Sequence, residues 1–226
     1  MSNTIAHLDV ANRILKLQPS LVNNVDAFFL GSVAPDTIGS KPDVSREDKR
    51  RVHLREGIRD SQWLDDGKMC LFKDRIQHFA NEYILNKSGI QRDFNIGYFV
   101  HLLTDEWNHR TIRQIMLRIA KEQTVMESDR EFFNMMTNDL EALDKYLLHK
   151  DAEILNILNR LLGQDVQCAL DGFIEKSYIC GSIQWWKTVY LPNIKQRKLK
   201  YISKADIDDF VSCAAQEISN EINRLL

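Results

Sequence analysis

The chain has 226 residues, of which 44% are apolar and 27% charged, enough for one large domain with a sizeable core. Its formal net charge of −2 gives no electrostatic case for bulk attraction to nucleic acid or to a bilayer, so no stable nucleic-acid partner and at most peripheral membrane contact are expected. The start Met-Ser-Asn-Thr-Ile-Ala-His lacks the basic and apolar parts of a secretory signal, and no apolar run reaches about 18 residues, which reads as a cytoplasmic protein.

Thr4 to Leu17 reads as a short amphipathic helix, with Thr4 as N-cap and Ile5, Leu8, Ile14, Leu15 and Leu17 along one stripe. His7 lies one turn in. After Pro19 comes the apolar run Val25 to Gly31, then Ser32-Val33-Ala34-Pro35-Asp36-Thr37. Pro35 restrains the approach to Asp36 and places that carboxylate in a loop at a helix end. Ser40 to Arg51 is polar and reads as a surface loop, with His53 just beyond it. A helix is expected from Met69 to Leu85, and a long central one from Asp93 or Asn95 to beyond Ile119. Ser128-Asp129-Arg130-Glu131 reads as a capping box for a helix reaching Leu148. Further helices are expected over Asp151 to Leu162, Asp165 to Trp186, and Lys204 to Leu226, the last capped by Ser203 and preceded by the basic connection Lys195 to Lys200. With no strand alternation and no repeat, the chain is expected to be all-α, a single helical-bundle domain over residues 1–226. Cys70, Cys168, Cys180 and Cys213 are widely spaced, without a Cys-x2-Cys pair, and read as small core residues in a reducing compartment.

The stretch with chemical content is Gly97 to His109, which reads His101-x3-Asp105-x3-His109 in an apolar helical run. Residues four apart share a helix face, so His101 and Asp105 can hold one ion, and Asp105 and His109 something one turn further on. His101 and His109 are about 12 Å apart in rise and about 80° in rotation, too far for one ion. Two ions roughly 3.5–4 Å apart, bridged by Asp105, fit the spacing. A buried helix with two hydrogen-bonded histidines is the plain alternative.

The full candidate set is His7, Asp36, His53, His101, Asp105 and His109. Nitrogen and oxygen donors without thiolates suit zinc, with manganese, iron or nickel chemically possible. His78 and His149 read as surface residues. Trp185 and Trp186, with Tyr178 and Tyr190, read as core aromatics before they read as a stacking patch. Arg110 and Arg113, just past His109, are candidates for phosphate contact.

The order His7, Pro35-Asp36, His53, His101-x3-Asp105-x3-His109 resembles the zinc-dependent phospholipase C family, and its short bacterial branch in particular. The resemblance is carried by Ala6-His7, Gly31 to Asp36 and Gly97 to His109, about the first half of the chain. It implies an all-α bundle whose zinc cluster hydrolyses phosphate esters by attack of metal-bound hydroxide; relatives act on lipids and on single-stranded nucleic acid. It also implies roles: Asp36, His53, His101 and Asp105 around one ion, His7 and Asp105 on a second, His109 on a third, and Asp36 doubling as the base that orients water. Glu141 resembles the family's downstream glutamate ligand, but Thr137 stands where its partner histidine belongs, with Asp139 as a substitute. The family's secreted members also use a processed N-terminal tryptophan, whereas this chain begins Met1-Ser2.

The expected activity is therefore zinc-dependent phosphoric ester hydrolysis on a lipid headgroup or nucleotide, in a site of two or three ions. A nucleotide phosphohydrolase of the histidine–aspartate class is a weaker alternative, because the chain contains no His-Asp dipeptide. A non-catalytic metal-binding scaffold is the alternative from another class.

Overall fold

The computed structural model describes residues 4–194 and 196–225. Its elements are helical: α1 (Thr4–Leu17), α2 (Val25–Gly31), a 3-10 segment Ala34–Ser40, α3 (Arg46–Val52), α4 (Asp66–Ala80), α5 (Gly89–Arg110), α6 (Ile112–Glu122), α7 (Arg130–Lys150), α8 (Ala152–Gly163), α9 (Lys176–Trp185), α10 (Leu191–Ile194) and α11 (Lys204–Leu225). No strand occurs among the described residues, only an isolated bridge between Leu170 and Ile174. Among the described residues, no helix is long and apolar enough to cross a membrane.

The bundle is built around α5. Every residue from Asp93 to Glu106 is buried, so this helix has no solvated face and is enclosed by α1, α2, α4 and α11. Its polar side chains must therefore find partners inside the protein. Asp93 accepts the backbone N–H groups of Asn23 (3.0 Å) and Asn24 (2.7 Å), Asn95 donates to the Tyr83 carbonyl, and Thr104 donates to the Val100 carbonyl. Tyr98 donates to the Val52 carbonyl at 2.5 Å. Glu106 pairs with Arg110 one turn further along α5, which leaves His101 and Asp105, whose remaining partners come from other elements.

α2 crosses α5 at backbone contact, and glycine is what permits it. A Cβ on Gly31 would lie 1.9 Å from the Phe94 carbonyl oxygen, and one on Gly97 would lie 2.0 Å from the Phe28 carbonyl oxygen. This close crossing places the chain after Gly31, including Ser32 and Asp36, directly against α5.

Several element boundaries differ from the sequence reading. The central helix starts at Gly89 and is broken at Thr111, whose φ of −119° and ψ of −85° leave the helical region. The Thr111 hydroxyl donates to the Trp107 carbonyl at 2.6 Å. The surface loop Ser40 to Arg51 contains α3, started by a capping box in which Asp48 N–H donates to Ser45 Oγ and Ser45 N–H to Asp48 Oδ2. The box expected at Ser128 to Glu131 does not form; Asp129 is the N-cap, and its carboxylate accepts from Met126 N–H. The helix expected from Asp165 begins only at Lys176, because the chain first turns through Gly172, at φ +77°. α4 gives way to a π-helical turn over Asn81–Leu85. Of the cysteines, Cys168 is buried, while Cys70, Cys180 and Cys213 are exposed rather than in the core. Met1-Ser2, Lys195 and Leu226, which enter the sequence reading, lie outside the described residues.

Candidate metal centre

Five of the seven expected site residues meet at one place, each delivered by a different constraint. His101 and Asp105 stand one turn apart on α5. Asp36 sits in the 3-10 segment, held by the close α2–α5 crossing, and His53 is the C-cap of α3. The Tyr98–Val52 bond ties the end of α3 to α5 one residue before His53. His7 comes from the buried first half of α1.

The donor atoms are close. His53 Nε2 lies 3.4 Å from Asp36 Oδ1 and 3.6 Å from Asp105 Oδ2. His101 Nε2 lies 3.9 Å from Asp36 Oδ1 and 3.7 Å from Asp105 Oδ2. On the other carboxylate oxygen, Asp105 Oδ1 is 3.5 Å from His7 Nε2. The His7 and His101 rings stack with centroids 3.8 Å apart.

Hydrogen bonding orients two of these rings. His101 Nδ1 faces the Ser32 carbonyl at 2.9 Å, and His53 Nδ1 faces the Lys49 carbonyl at 2.7 Å. A carbonyl oxygen only accepts, so Nδ1 carries the hydrogen in both rings and Nε2 is left as the ligand atom. This is the arrangement that protein-bound histidine ligands show.

The electrostatics point the same way. Burial raises the Asp36 carboxyl, but His101 and His53 more than offset it and hold it below the usual range. Burial likewise raises Asp105, and the His7 contact and the neighbouring His101 outweigh it, holding it well below its ordinary value. Burial and the adjacent His7 depress His101 to about 3, so its ring is neutral at pH 7. Two ionised carboxylates, Asp105 buried and Asp36 partly so, are thus partnered by imidazoles rather than by lysine or arginine among the described residues. Asp36 Oδ2 and His101 Nε2 are buried without a hydrogen-bond partner. Such groups are costly unless a cation satisfies them.

The donor set fits a metal. Tetrahedral ligands at about 2.0–2.1 Å from zinc lie about 3.4 Å from one another, and the separations above run from 3.4 to 3.9 Å. Asp36, His53, His101 and Asp105 would hold one ion. His7 and the second oxygen of Asp105 supply two donors for another, with Asp105 spanning both. His101 belongs to both three-residue clusters, His7–His101–Asp105 and Asp36–His53–His101. With Nδ1 committed to Ser32, it has one nitrogen to offer, so the carboxylate of Asp105 would be the group shared by two ions.

His109 and Glu141 lie apart from this centre. Neither joins any group of three potential ligands among the described residues. His109 stacks on Trp63, with centroids 4.6 Å apart, near Arg55 and Arg113. Glu141 pairs with Arg197 at 2.5 Å on the outside of α7. Asp139 accepts the N–H groups of Tyr201 (2.6 Å) and Ile202 (2.8 Å) and fixes the chain entering α11. The expected third ion therefore has no ligand set among the described residues. Glu106 is buried and pairs with Arg110. His78 and His149 are exposed, while Trp186 is buried and Trp185 stacks on Tyr190 at the surface.

One positioning residue escaped the sequence reading. Asp144 is fully buried and accepts from Ile5 N–H and Ala6 N–H, both at 3.2 Å, and from the Tyr190 hydroxyl at 2.7 Å. It anchors the first turn of α1 and so sets the place of His7. Its signal in the sequence is an aspartate on the apolar stripe Leu140, Leu143, Leu147.

The buried histidines imply an acid limit. Burial, then Arg55, holds His109 at about 3, and His101 is also near 3. Both folded values lie below the ordinary 6.5, so their contribution to stability is complete above that pH and is lost as pH falls toward 3. Each contributes up to about 1.4 kcal/mol per pH unit in that window. Asp144, pushed up to about 7 by burial, titrates with the opposite sign and offsets roughly one histidine. In urea unfolding of chelator-treated protein, the stability gap between wild type and His109→Gln is expected to shrink as pH drops from 6.5 to 4. A gap independent of pH would refute the assignment.

No family model, no curated protein and no solved structure matches this chain.

Proposed function

We infer that the chain is a metal-dependent hydrolase of phosphate esters, with zinc the metal its donors suit best and a phospholipase C-like activity the form the motif order favours. The supporting observation is the convergence of the Nε2 atoms of His53 and His101 on two ionised carboxylates, with Asp105 facing His7 through its other oxygen. Metal ions bound there would activate water near neutral pH and neutralise charge building on a phosphate.

The chain's own residues have separable parts in this reading. Asp105 ties the two halves of the centre together. Asp36 presents Oδ1 to the histidines, and its buried Oδ2 is the oxygen left to orient water and take its proton. The Ser32 and Lys49 carbonyls hold the rings in place, which keeps the donor set preorganised.

The test is turnover of bis(p-nitrophenyl) phosphate and p-nitrophenyl phosphate by zinc-loaded protein. Hydrolysis that chelation abolishes and zinc restores is the expected result. Full metal content without turnover of either ester would leave the second reading, a metal-binding scaffold without catalysis. One observation favours that alternative: the second ion has only His7 and Asp105 as donors among the described residues.

A further inference from the structure

Beyond Asp105, the last turn of α5 enters a different chemical environment. His109 is 8% exposed and stacks on Trp63, which is 2% exposed. The Arg55 guanidinium lies over the Trp63 ring, 4.3 Å from its centroid, and pairs with the Asp60 carboxylate. Arg113 approaches from α6, with one guanidinium nitrogen on Glu127 at 2.6 Å. Within this cluster four buried nitrogens have no hydrogen-bond partner: His109 Nδ1, Trp63 Nε1, Arg55 Nε and Arg113 Nε. Three of the four are obligate donors, because indole and guanidinium nitrogens cannot accept.

Buried donors without acceptors are as costly as buried acceptors without donors. Two guanidinium groups beside His109 also disfavour a third cation there, while donors of this kind suit an oxyanion. We propose that Arg55, Trp63, His109 and Arg113 form a subsite for a terminal phosphate group, with the Asp60 carboxylate as its built-in competitor. Asp60 is the exposed member of the pair: its side chain is 60% exposed, against 11% for Arg55. Although burial alone would raise it, Arg55, His109 and Arg113 hold the Asp60 carboxyl down at about 2, so an anion at its position meets a favourable field. Trp63 and His109 are almost fully enclosed, and a terminal group with its oxygens free offers these donors more acceptors than a diester, two of whose oxygens are esterified. The subsite rests on the phosphoesterase reading only for the choice of phosphate among oxyanions.

The experiment is calorimetric titration of inorganic phosphate into the full chain, chelated so that phosphate on metal is not counted. Wild type, Trp63→Phe, Arg55→Gln and Asp60→Asn are compared, with circular dichroism to confirm folding. Trp63→Phe keeps the ring on His109 and removes only the indole N–H, so it remains informative if Arg55→Gln fails to fold. Saturable binding is expected, weakened at least about 5-fold in Trp63→Phe and in Arg55→Gln, and tightened in Asp60→Asn. Absence of saturable binding overturns the proposal, as does binding that Trp63→Phe and Asp60→Asn leave unchanged. Equal affinity for dimethyl phosphate overturns the terminal-group assignment. Because no turnover is measured, an inactive protein that still binds phosphate in this pattern would refute the phosphoesterase reading and leave the subsite standing.

Discussion

Asp105→Asn is expected to reduce bound zinc from about two ions per chain to less than one, and to abolish phosphoester turnover. Asparagine has nearly the same shape as aspartate, so the packing of α5 is preserved and the change is chemical. One oxygen of Asp105 faces His53 and His101, at 3.6 and 3.7 Å, and the other faces His7 at 3.5 Å. Removing the carboxylate takes one of four donors from the first ion and one of two from the second. Altering a group that merely supports a ligand costs about 10–100-fold in affinity, so the loss of a direct, shared ligand exceeds that. Glu141→Gln is the matching control, because that side chain pairs with Arg197 on the surface of α7. Elemental analysis of the two variants beside wild type decides it. Unchanged zinc in Asp105→Asn, or zinc lost equally in Glu141→Gln, would remove the bridging assignment.

Gly97→Ala is expected to destabilise the fold strongly, although it adds a single methyl. Helix propensity alone favours alanine over glycine by about 1 kcal/mol. The added Cβ, however, would lie 2.0 Å from the Phe28 carbonyl oxygen and 2.8 Å from the Ser32 nitrogen. Both are backbone atoms, so no side chain can rotate away and α2 must move off α5. Overpacking a core costs about 1–3 kcal/mol and occasionally more; a clash with backbone belongs at the upper end. At roughly 2–4 °C per kcal/mol for a chain of this size, the melting temperature is expected to fall by about 5–10 °C. The damage would reach the candidate metal centre, since the Ser32 carbonyl also receives the His101 Nδ1–H bond and the same segment carries Asp36. Metal affinity should therefore fall with stability. Gly163→Ala, where a Cβ meets nothing within 4 Å, is expected to change stability by less than about 0.5 kcal/mol. Equal melting temperatures for the Gly97 and Gly163 variants would refute the close-crossing argument.

The two predictions also mark how much was legible beforehand. The all-helical class was readable from periodicity and scarce glycine and proline, and α1, α7, α8 and α11 lie close to where the apolar stripes put them. Boundaries set by short-range competition were harder. The helix that periodicity would have continued is interrupted at Thr111, whose backbone leaves the helical region. α3 lies in a stretch whose polarity suggested a loop, although Ser45 and Asp48 carry a capping-box pattern that could have revealed it.

At the site, the sequence by itself determined the chemistry that α5 offers. His101 and Asp105 share a helix face because four residues make just over one turn, whatever surrounds them. By the same rule His109 should have faced the same centre, and there the tertiary structure decided otherwise. Trp63 stacks on its ring and Arg55 lies close by, both about 50 residues away in sequence, while Arg113 joins them from the next helix. The approach of His7, Asp36 and His53 was likewise decided by tertiary contacts: Asp144 anchoring α1, the Gly31–Gly97 crossing, and the Tyr98–Val52 bond. Local spacing follows from the geometry of one helix. Which helices touch, and which side chains then meet, depends on burying many surfaces at once, and no single stretch of chain encodes that.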